Sequence, residues 1–334
     1  MPALAVARAL RAEQPDAEIL LAGRASGPDE RLVTAAGFRF EGVRVQGLDR
    51  DAVWKNVALP AVRPAAFARG IRNVDRFQPE VVLGMGGYAM APAIAAARLR
   101  RVPYVLHETD VRPGLATRLF AGSAAAVCTT LPGTEARLQG VRCVLTGVPV
   151  REEFRPRQPE IPPRRLLVMG GSQGARRLNL AVWEVLDALL ERFAEVIHLA
   201  GRQGTDEIER RRRPRYTAFA FTSDIPALMG RADLVVSRAG VGAIAEAALV
   251  GLPSILVPGA FGGRHQELNA QAVAETGAAV VVPDAEFDGR RLLQELDRLT
   301  PEKLAAMAAA QRKLAHPDAA ARVLAVLREV ASRN

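Results

Sequence analysis

The chain has 334 residues, 49% hydrophobic and 24% charged, and a formal net charge of +9 at pH 7. That length is too great for one ordinary domain and suits two, and no apolar run reaches the ~18 residues of a membrane-crossing helix. The charge, carried almost wholly by arginine, permits an anionic partner without choosing among nucleic acid, nucleotide and membrane surface.

The opening, MPALAVARALRAEQ, lacks the basic leader of a signal peptide, and the reading expects a cytoplasmic chain. Pro2 at a first-turn position, with Leu4, Val6 and Leu10 on one face, predicts a helix. Short runs rich in Val, Ile and Leu then predict strands at 18–22, 81–85, 104–107, 125–129 and 142–145. A second series is predicted at 166–169, 196–200, 217–221, 234–237, 254–257 and 279–282. Helical patterns lie between most of them, and two helices close the chain, from about Pro301 and from about Pro317. Continuous apolar runs alternating with helices indicate doubly wound α/β sheets covered on both faces, here in two copies.

Pro156, Pro159, Pro162 and Pro163 interrupt a stretch with no apolar period, which reads as a linker over 151–164. The expected domains are 1–150 and 165–315, with 316–334 a last helix returning to the N-terminal domain. In a doubly wound domain the first strand is central and a glycine loop follows it. This chain begins on a helix, so the first domain is expected to lack the middle strand of its sheet, through a misplaced start or true truncation. Cys128 and Cys143 sit in apolar runs and read as buried thiols. The run Glu209-Arg-Arg-Arg-Arg213 has no interleaved aromatics and reads as a solvated helix end, with no nucleic-acid role. Asp49-Arg-Asp51 lies in a polar turn, and no cysteine or histidine cluster has metal-ligand spacing, so no metal and no cofactor are expected.

Three stretches read strand, glycine loop, helix: Gly84-Met-Gly-Gly-Tyr88, Gly170-Gly-Ser-Gln-Gly-Ala175 and Ser237-Arg-Ala-Gly-Val-Gly-Ala-Ile-Ala-Glu246. Glycines let the backbone turn tightly, and the following helix presents unpaired amides and a positive dipole end to an anion. Gly171, Ser172, Gln173 and Gly174 would hold a phosphate in the second loop, unless that loop is a tight turn with no ligand. Two such loops in one domain suggest a nucleoside diphosphate held between two helix starts. Glu246 would accept ribose hydroxyls or simply sit favourably near a helix start. His265, Gln266 and Asn269 fall on a polar loop suited to sugar hydroxyls. His107, Glu108 and Asp110 stand at the end of a strand, where His107 is either a general base or a hydrogen-bonded structural residue.

GMGGY, HE at 107–108, PGLATR at 113–118, G-x-PVR at 147–151, GGSQGA, SRAG, GLP at 251–253 and HQxxNA at 265–270 run in order along essentially the whole chain. Together they resemble the MurG family of GT-B glycosyltransferases, which have two Rossmann-like domains flanking a cleft. The resemblance implies an inverting transferase moving N-acetylglucosamine from UDP-N-acetylglucosamine to an undecaprenyl-diphosphate-linked muramyl-pentapeptide. It places Arg151, Ser172, Thr222 on the uracil side, Arg238, Val241, Gly242, Ala243, Ile244, Ala245, Glu246, His265, Gln266 and Asp110 around the donor. Gly86, Gly87, Tyr88, His107 and Glu108 fall on the acceptor side, and the family's catalytic base would precede residue 1, leaving His107 as the substitute candidate. The sequence departs from the family pattern at Asp110 and Val148, where asparagine is usual, and at Gly242 and Ala243, where hydroxyl side chains are usual. Trp54, Val57, Leu59, Val62, Phe67 and Ile71, rimmed by Lys55, Arg63, Arg69 and Arg72, suit an anionic membrane surface, implying a peripheral protein on the cytoplasmic face. The same pattern also fits a helix packed on its own core. A non-catalytic UDP-sugar-binding relative, or a transferase or epimerase with another substrate, stays open.

Overall fold

The computed structural model describes residues 2–25, 27–43, 59–171, 174–259 and 264–333. It divides into two compact units, Met1–Val150 with Asp318–Asn334, and Arg151–Pro317. The Asp-x-Asp string at 49–51, Trp54, Lys55, Val57, Ser172 and Gln173 lie outside the described residues.

The first unit runs α1 (Pro2–Glu13), β1 (Leu20–Arg24), α2 (Pro28–Ala35), β2 (Arg39–Val43), α3 (Leu59–Phe77), β3 (Val82–Gly84), α4 (Ala91–Leu99), β4 (Tyr104–Glu108), α5 (Leu115–Phe120), β5 (Ala126–Thr129) and β6 (Cys143–Leu145). The last helix of the chain, α14 (Ala319–Ala331), belongs to this unit and packs on α1 and β4. Strands β3, β4, β5 and β6 form one parallel sheet in that order. Alternate residues point to opposite faces. Val105, Ala126 and Cys128 meet Val323, Leu324 and Leu327 of α14 on one side, while Leu106 and Val127 meet Ile94 and Phe120 on the other. Both cysteines are free thiols: Cys128 is fully buried as expected, whereas Cys143, packed on the opposite face at the sheet's edge strand, is only partly buried, and burial pushes the Cys128 thiol up to about 12.

β1 and β2 pair with each other in a separate parallel ribbon. β2 was absent from the sequence expectation. Its Arg39, Glu41 and Gly42 break any apolar run, and it is held as an edge, with β1 as its ladder partner.

The second unit runs β7 (Arg165–Met169), α6 (Arg176–Glu184), α7 (Leu186–Arg192), β8 (Glu195–Leu199), α8 (Thr205–Arg210), β9 (Tyr216–Phe219), α9 (Ile225–Arg231), β10 (Leu234–Ser237), α10 (Val241–Val250), β11 (Ser254–Leu256), α11 (His265–Glu275), β12 (Ala279–Val281), α12 (Gly289–Asp297) and α13 (Pro301–Leu314). Its sheet is wholly parallel, in the order β12-β11-β10-β7-β8-β9. The single helix expected after the second glycine loop is broken at Val185 (φ −119°, ψ 23°). The break seats the start of α12 tightly. A β-carbon on Gly289 would lie 2.6 Å from the Val185 side chain, and the Gly289 N–H donates to Glu184 at 3.0 Å.

The proline-rich stretch after residue 150 is fastened to the second unit through Asp233, whose side chain is fully buried. Its carboxylate accepts from the Arg157 guanidinium at 2.6 Å and from the backbone N–H groups of Glu160, Arg164 and Arg165 at 3.1, 3.2 and 3.0 Å. Burial alone would raise its pKa. The Glu160 amide and Arg157, with the field of Arg165, hold it below the usual carboxylate value instead.

Candidate functional site

In the second unit β7 is central: the chain proceeds to β8 on one side and to β10 on the other. The crevice outside the carboxyl ends of two such strands is where open α/β sheets bind ligands. Met169 pairs with Ser237, so the loops that follow β7 and β10 emerge side by side at that switch point. These are the second and third glycine loops singled out in the sequence.

The glycines of the two loops differ in why they are needed. Gly171 and Gly174 adopt φ of +81° and +84°, a region open mainly to glycine. A β-carbon on Gly170 would meet the Ala175 amide nitrogen at 2.5 Å, and one on Gly174 the Ala200 carbonyl oxygen at 2.3 Å. The loop is therefore pressed against its own helix and against the end of β8. Gly240 and Gly242 have no neighbour within 4 Å of such a carbon. Close packing does not demand glycine there, and the space beside the start of α10 is open.

Helix α10 begins at Val241 with no side-chain cap on its first amides, an arrangement that favours an anion. Val241 and Ile244 are buried at 8% and 3% exposure, so any contact they make with a ligand is through the backbone, while Gly242, Ala243 and Ala245 face outward to differing degrees. Glu246 is half-buried, and desolvation pushes its carboxyl up to about 7 against the opposing field of Arg151. Arg151 donates to the Ser223 carbonyl at 2.8 Å and lies 5.4 Å over the Phe154 ring. An arginine and a carboxyl of raised pKa thus stand beside an uncapped helix start.

Arg238 is engaged elsewhere. Its guanidinium donates to the Val257 carbonyl at 3.1 Å and to Asp284 at 2.5 Å, tying β10 to the segments after β11 and β12. These bonds brace the strand ends that border the crevice. Gln266 accepts from the Gly259 N–H at 2.8 Å, fixing the backbone after β11, and His265 follows the left-handed Arg264 (φ 67°) as the first residue of α11. Thr222 accepts from the Asp224 N–H at 3.0 Å. Beside it Phe221, 60% exposed, lies 5.6 Å below the Arg202 guanidinium. The sequence reading passed over this aromatic and cation, since neither belongs to a glycine loop.

In the first unit His107 and Glu108 end β4, both almost wholly buried. The His107 Nε2 lies 2.9 Å from the Gly147 carbonyl, which can only accept, so Nε2 carries the proton and Nδ1 is an enclosed lone pair. Burial lowers its pKa, opposed in part by the Gly147 bond. With 0% exposure it cannot reach a substrate hydroxyl, and the substitute-base reading gives way to the structural one. Glu108 accepts from the N–H groups of Asp110 at 3.1 Å and Gly114 at 3.0 Å, shaping the turn between β4 and α5. Gly86 (φ +77°) and Gly87 (φ +69°) follow β3, with Gly86 packed against the His107 carbonyl, and Tyr88 stands 45% exposed beyond them. These residues share one sheet edge. Among the described residues no group of His, Cys, Asp and Glu could hold a metal ion.

The family models for the glycosyltransferase family 28 N-terminal and C-terminal domains match residues 1–129 and 165–323. A relative from Moorella thermoacetica is 37% identical over 98% of this chain and 94% of its own length. It is named UDP-N-acetylglucosamine--N-acetylmuramyl-(pentapeptide) pyrophosphoryl-undecaprenol N-acetylglucosamine transferase. The chain belongs to glycosyltransferase family 28. A relative of the same name from Parasynechococcus marenigrum is 39% identical over 98% of this chain and 89% of its own. Among solved structures, Acinetobacter baumannii MurG superposes with a TM-score of 0.77 at 25% identity, covering 98% of this chain and 95% of that one. A UDP-GlcNAc 2-epimerase from Neisseria meningitidis reaches 0.70 at 13% identity over 97% of this chain and 95% of that one, a likeness of fold alone. The architecture is GT-B.

Proposed function

We propose that the chain transfers N-acetylglucosamine from UDP-N-acetylglucosamine to undecaprenyl-pyrophosphoryl-N-acetylmuramyl-pentapeptide, the lipid I to lipid II step of peptidoglycan synthesis. The observation that carries this is full-length identity of 35–39% to relatives bearing that name, with both family 28 domains matched. The acceptor hydroxyl attacks the anomeric carbon of the sugar, UDP leaves, and configuration inverts. In this chain the amides of the loop around Gly171 and Gly174 and the start of α10 take the diphosphate, where fixed dipoles stabilise charge that grows as the bond breaks. Arg151 adds positive charge on that side, Glu246 accepts the ribose hydroxyls, Thr222 borders the base, and Gln266 reaches the sugar. The turn held by Glu108, with Gly86, Gly87 and Tyr88, receives the acceptor.

Among the described residues no helix is long and apolar enough to cross a membrane. The lipid-linked acceptor is met at the bilayer surface by α3, whose Phe67 is 37% exposed beside the exposed Arg69 and Arg72. Transfer of labelled N-acetylglucosamine to a lipid I analogue tests the reading, and UDP release without a glycosylated lipid product would refute it. Flotation with anionic and neutral vesicles tests the surface: binding to both alike, or to neither, would remove the electrostatic part.

A further inference from the structure

A buried relay of hydrogen bonds crosses the second unit and ends beside the glycine loop after β7. Asn179 and Trp183 stand one turn apart on one face of α6, and His198 of β8 and Tyr216 of β9 meet them from the sheet. The Trp183 Nε1–H donates to the Tyr216 hydroxyl at 2.9 Å, and that hydroxyl lies 2.8 Å from His198 Nδ1. His198 Nε2 lies 3.1 Å from Asn179 Oδ1, and Asn179 Nδ2 donates to the Ala200 carbonyl at 2.7 Å. Asn179, His198 and Tyr216 are all buried, so none of them can turn to water for a lost partner.

The proton positions follow from which atoms can only donate and which only accept. The Ala200 oxygen accepts, so Asn179 presents its amide nitrogen there and its Oδ1 takes the His198 Nε2–H. Nδ1 of the neutral ring then carries a lone pair and takes the Tyr216 O–H, while the Tyr216 oxygen takes the indole N–H. Burial pushes His198 down to about 3 and the Tyr216 phenol up to about 12, so neither leaves this state across the neutral range. Four bonds thus point one way, from Trp183 to Ala200, and bonds aligned in series polarise one another.

The Ala200 carbonyl oxygen at the end of this relay is the atom that a β-carbon on Gly174 would meet at 2.3 Å. The Gly170 N–H is tied to the Leu199 carbonyl at 3.3 Å, so the glycine loop leans on the end of β8 at two points. The turn after β8 rests on the same groups: a β-carbon on Gly204 would lie 2.8 Å from that of Ala200 and 3.4 Å from both Asn179 Nδ2 and the Trp183 ring. A displaced Ala200 carbonyl therefore shifts the loop, and with it the amides offered to an anion. We propose that Asn179, held by His198, Tyr216 and Trp183, is a positioning residue for the sugar-nucleotide donor, setting the seat of the glycine loop through Ala200. This rests on the reading above that the loop takes the donor's diphosphate. Buried as they are, the members of the relay act through Ala200 and not by contact with the donor.

Three variants of the full chain test it. Asn179→Leu removes the last bond of the relay, and Tyr216→Phe deletes one oxygen at its far end and carries the test if Asn179→Leu does not fold. Gln311→Leu is the control: it removes buried hydrogen bonds to Ser254 and Ala278, at the amino ends of β11 and β12, the opposite edge of the same sheet. Tm, hydrogen exchange at the Gly170 and Gly174 amides, UDP affinity by calorimetry and transfer kinetics are read on each. Both relay variants are expected to exchange those amides about tenfold faster and to bind UDP about tenfold more weakly. Their KM for UDP-N-acetylglucosamine rises while that for the lipid acceptor stays, and Gln311→Leu lowers Tm with the loop and the affinity unchanged. Loop exchange and affinity that simply follow Tm in all three variants overturn the proposal. So does a Tyr216→Phe protein equal to the parent in both, or a faster loop with unchanged affinity. A parent chain that binds no UDP refutes the donor reading of the loop instead, and the exchange comparison still decides whether the relay seats it.

Discussion

A β-carbon on Gly174 would stand 2.3 Å from the carbonyl oxygen of Ala200, and the residue's φ of +84° is one that L side chains rarely take. The loop after β7 is thus braced on the end of the neighbouring strand β8. Gly174→Ala is expected to cost about 1–3 kcal/mol and to weaken UDP binding at least tenfold, read by calorimetry. Gly242→Ala, where the space is open, is expected to leave stability within about 0.5 kcal/mol. Equal losses in the two variants would refute this account of the loops.

Glu246 carries a carboxyl raised to about 7 by burial. Ribose hydroxyls donate best to its ionised form, so nucleotide binding is expected to lower that pKa and release a proton near pH 7. Affinity then rises as pH increases from about 6 to 8. Calorimetry in buffers of different ionisation enthalpy measures the proton, and Glu246→Gln should abolish its release. A proton count of zero in the parent chain would remove Glu246 from the ribose.

Asp233 joins the segment after residue 150 to the second unit through one buried carboxylate. Asp233→Asn is expected to destabilise the second unit by about 2–3 kcal/mol, since Arg157 and several amides lose a charged acceptor. Its folded pKa is depressed, so its contribution is complete above the unfolded value of about 3.9 and is lost as pH falls through the folded one. Urea unfolding at pH 7 and pH 3 should show the gap between parent and variant shrinking in acid.

His198 is fully buried between Tyr216 and Asn179, at 2.8 and 3.1 Å, with its pKa near 3. The unfolded chain takes up its proton at about 6.5, well before the folded one, so stability is full above that pH and declines toward pH 3. The slope is up to about 1.4 kcal/mol per pH unit. His198→Gln should flatten that part of the stability curve, and an unchanged slope between pH 6 and 4 would contradict it.

The apolar runs of the parallel strands carried most of the fold, because a strand buried on both faces has no other composition open to it. β2 escaped because an edge strand tolerates Arg39, Glu41 and Gly42, and the interruption at Val185 because it answers to a glycine a hundred residues away. The glycine loops were legible from spacing and helix starts, and the structure brings two of them side by side at the ends of β7 and β10. The engagement of Arg238 with Asp284, of Gln266 with Gly259 and of His107 with Gly147 was not legible, since these depend on strands brought together by the sheet.

The core that α14 completes joins Val6 to Val323 and Leu327, nearly the whole chain apart in sequence, whereas the main core of the second unit is complete by Met307. On the ribosome, where residues emerge in order, the second unit closes while the sheet of the first still waits for its covering helix. The usual sequence of biosynthesis, amino-terminal domain first, is reversed. A chain truncated before α14 would leave one face of the first unit's sheet uncovered and spare the main core of the second unit.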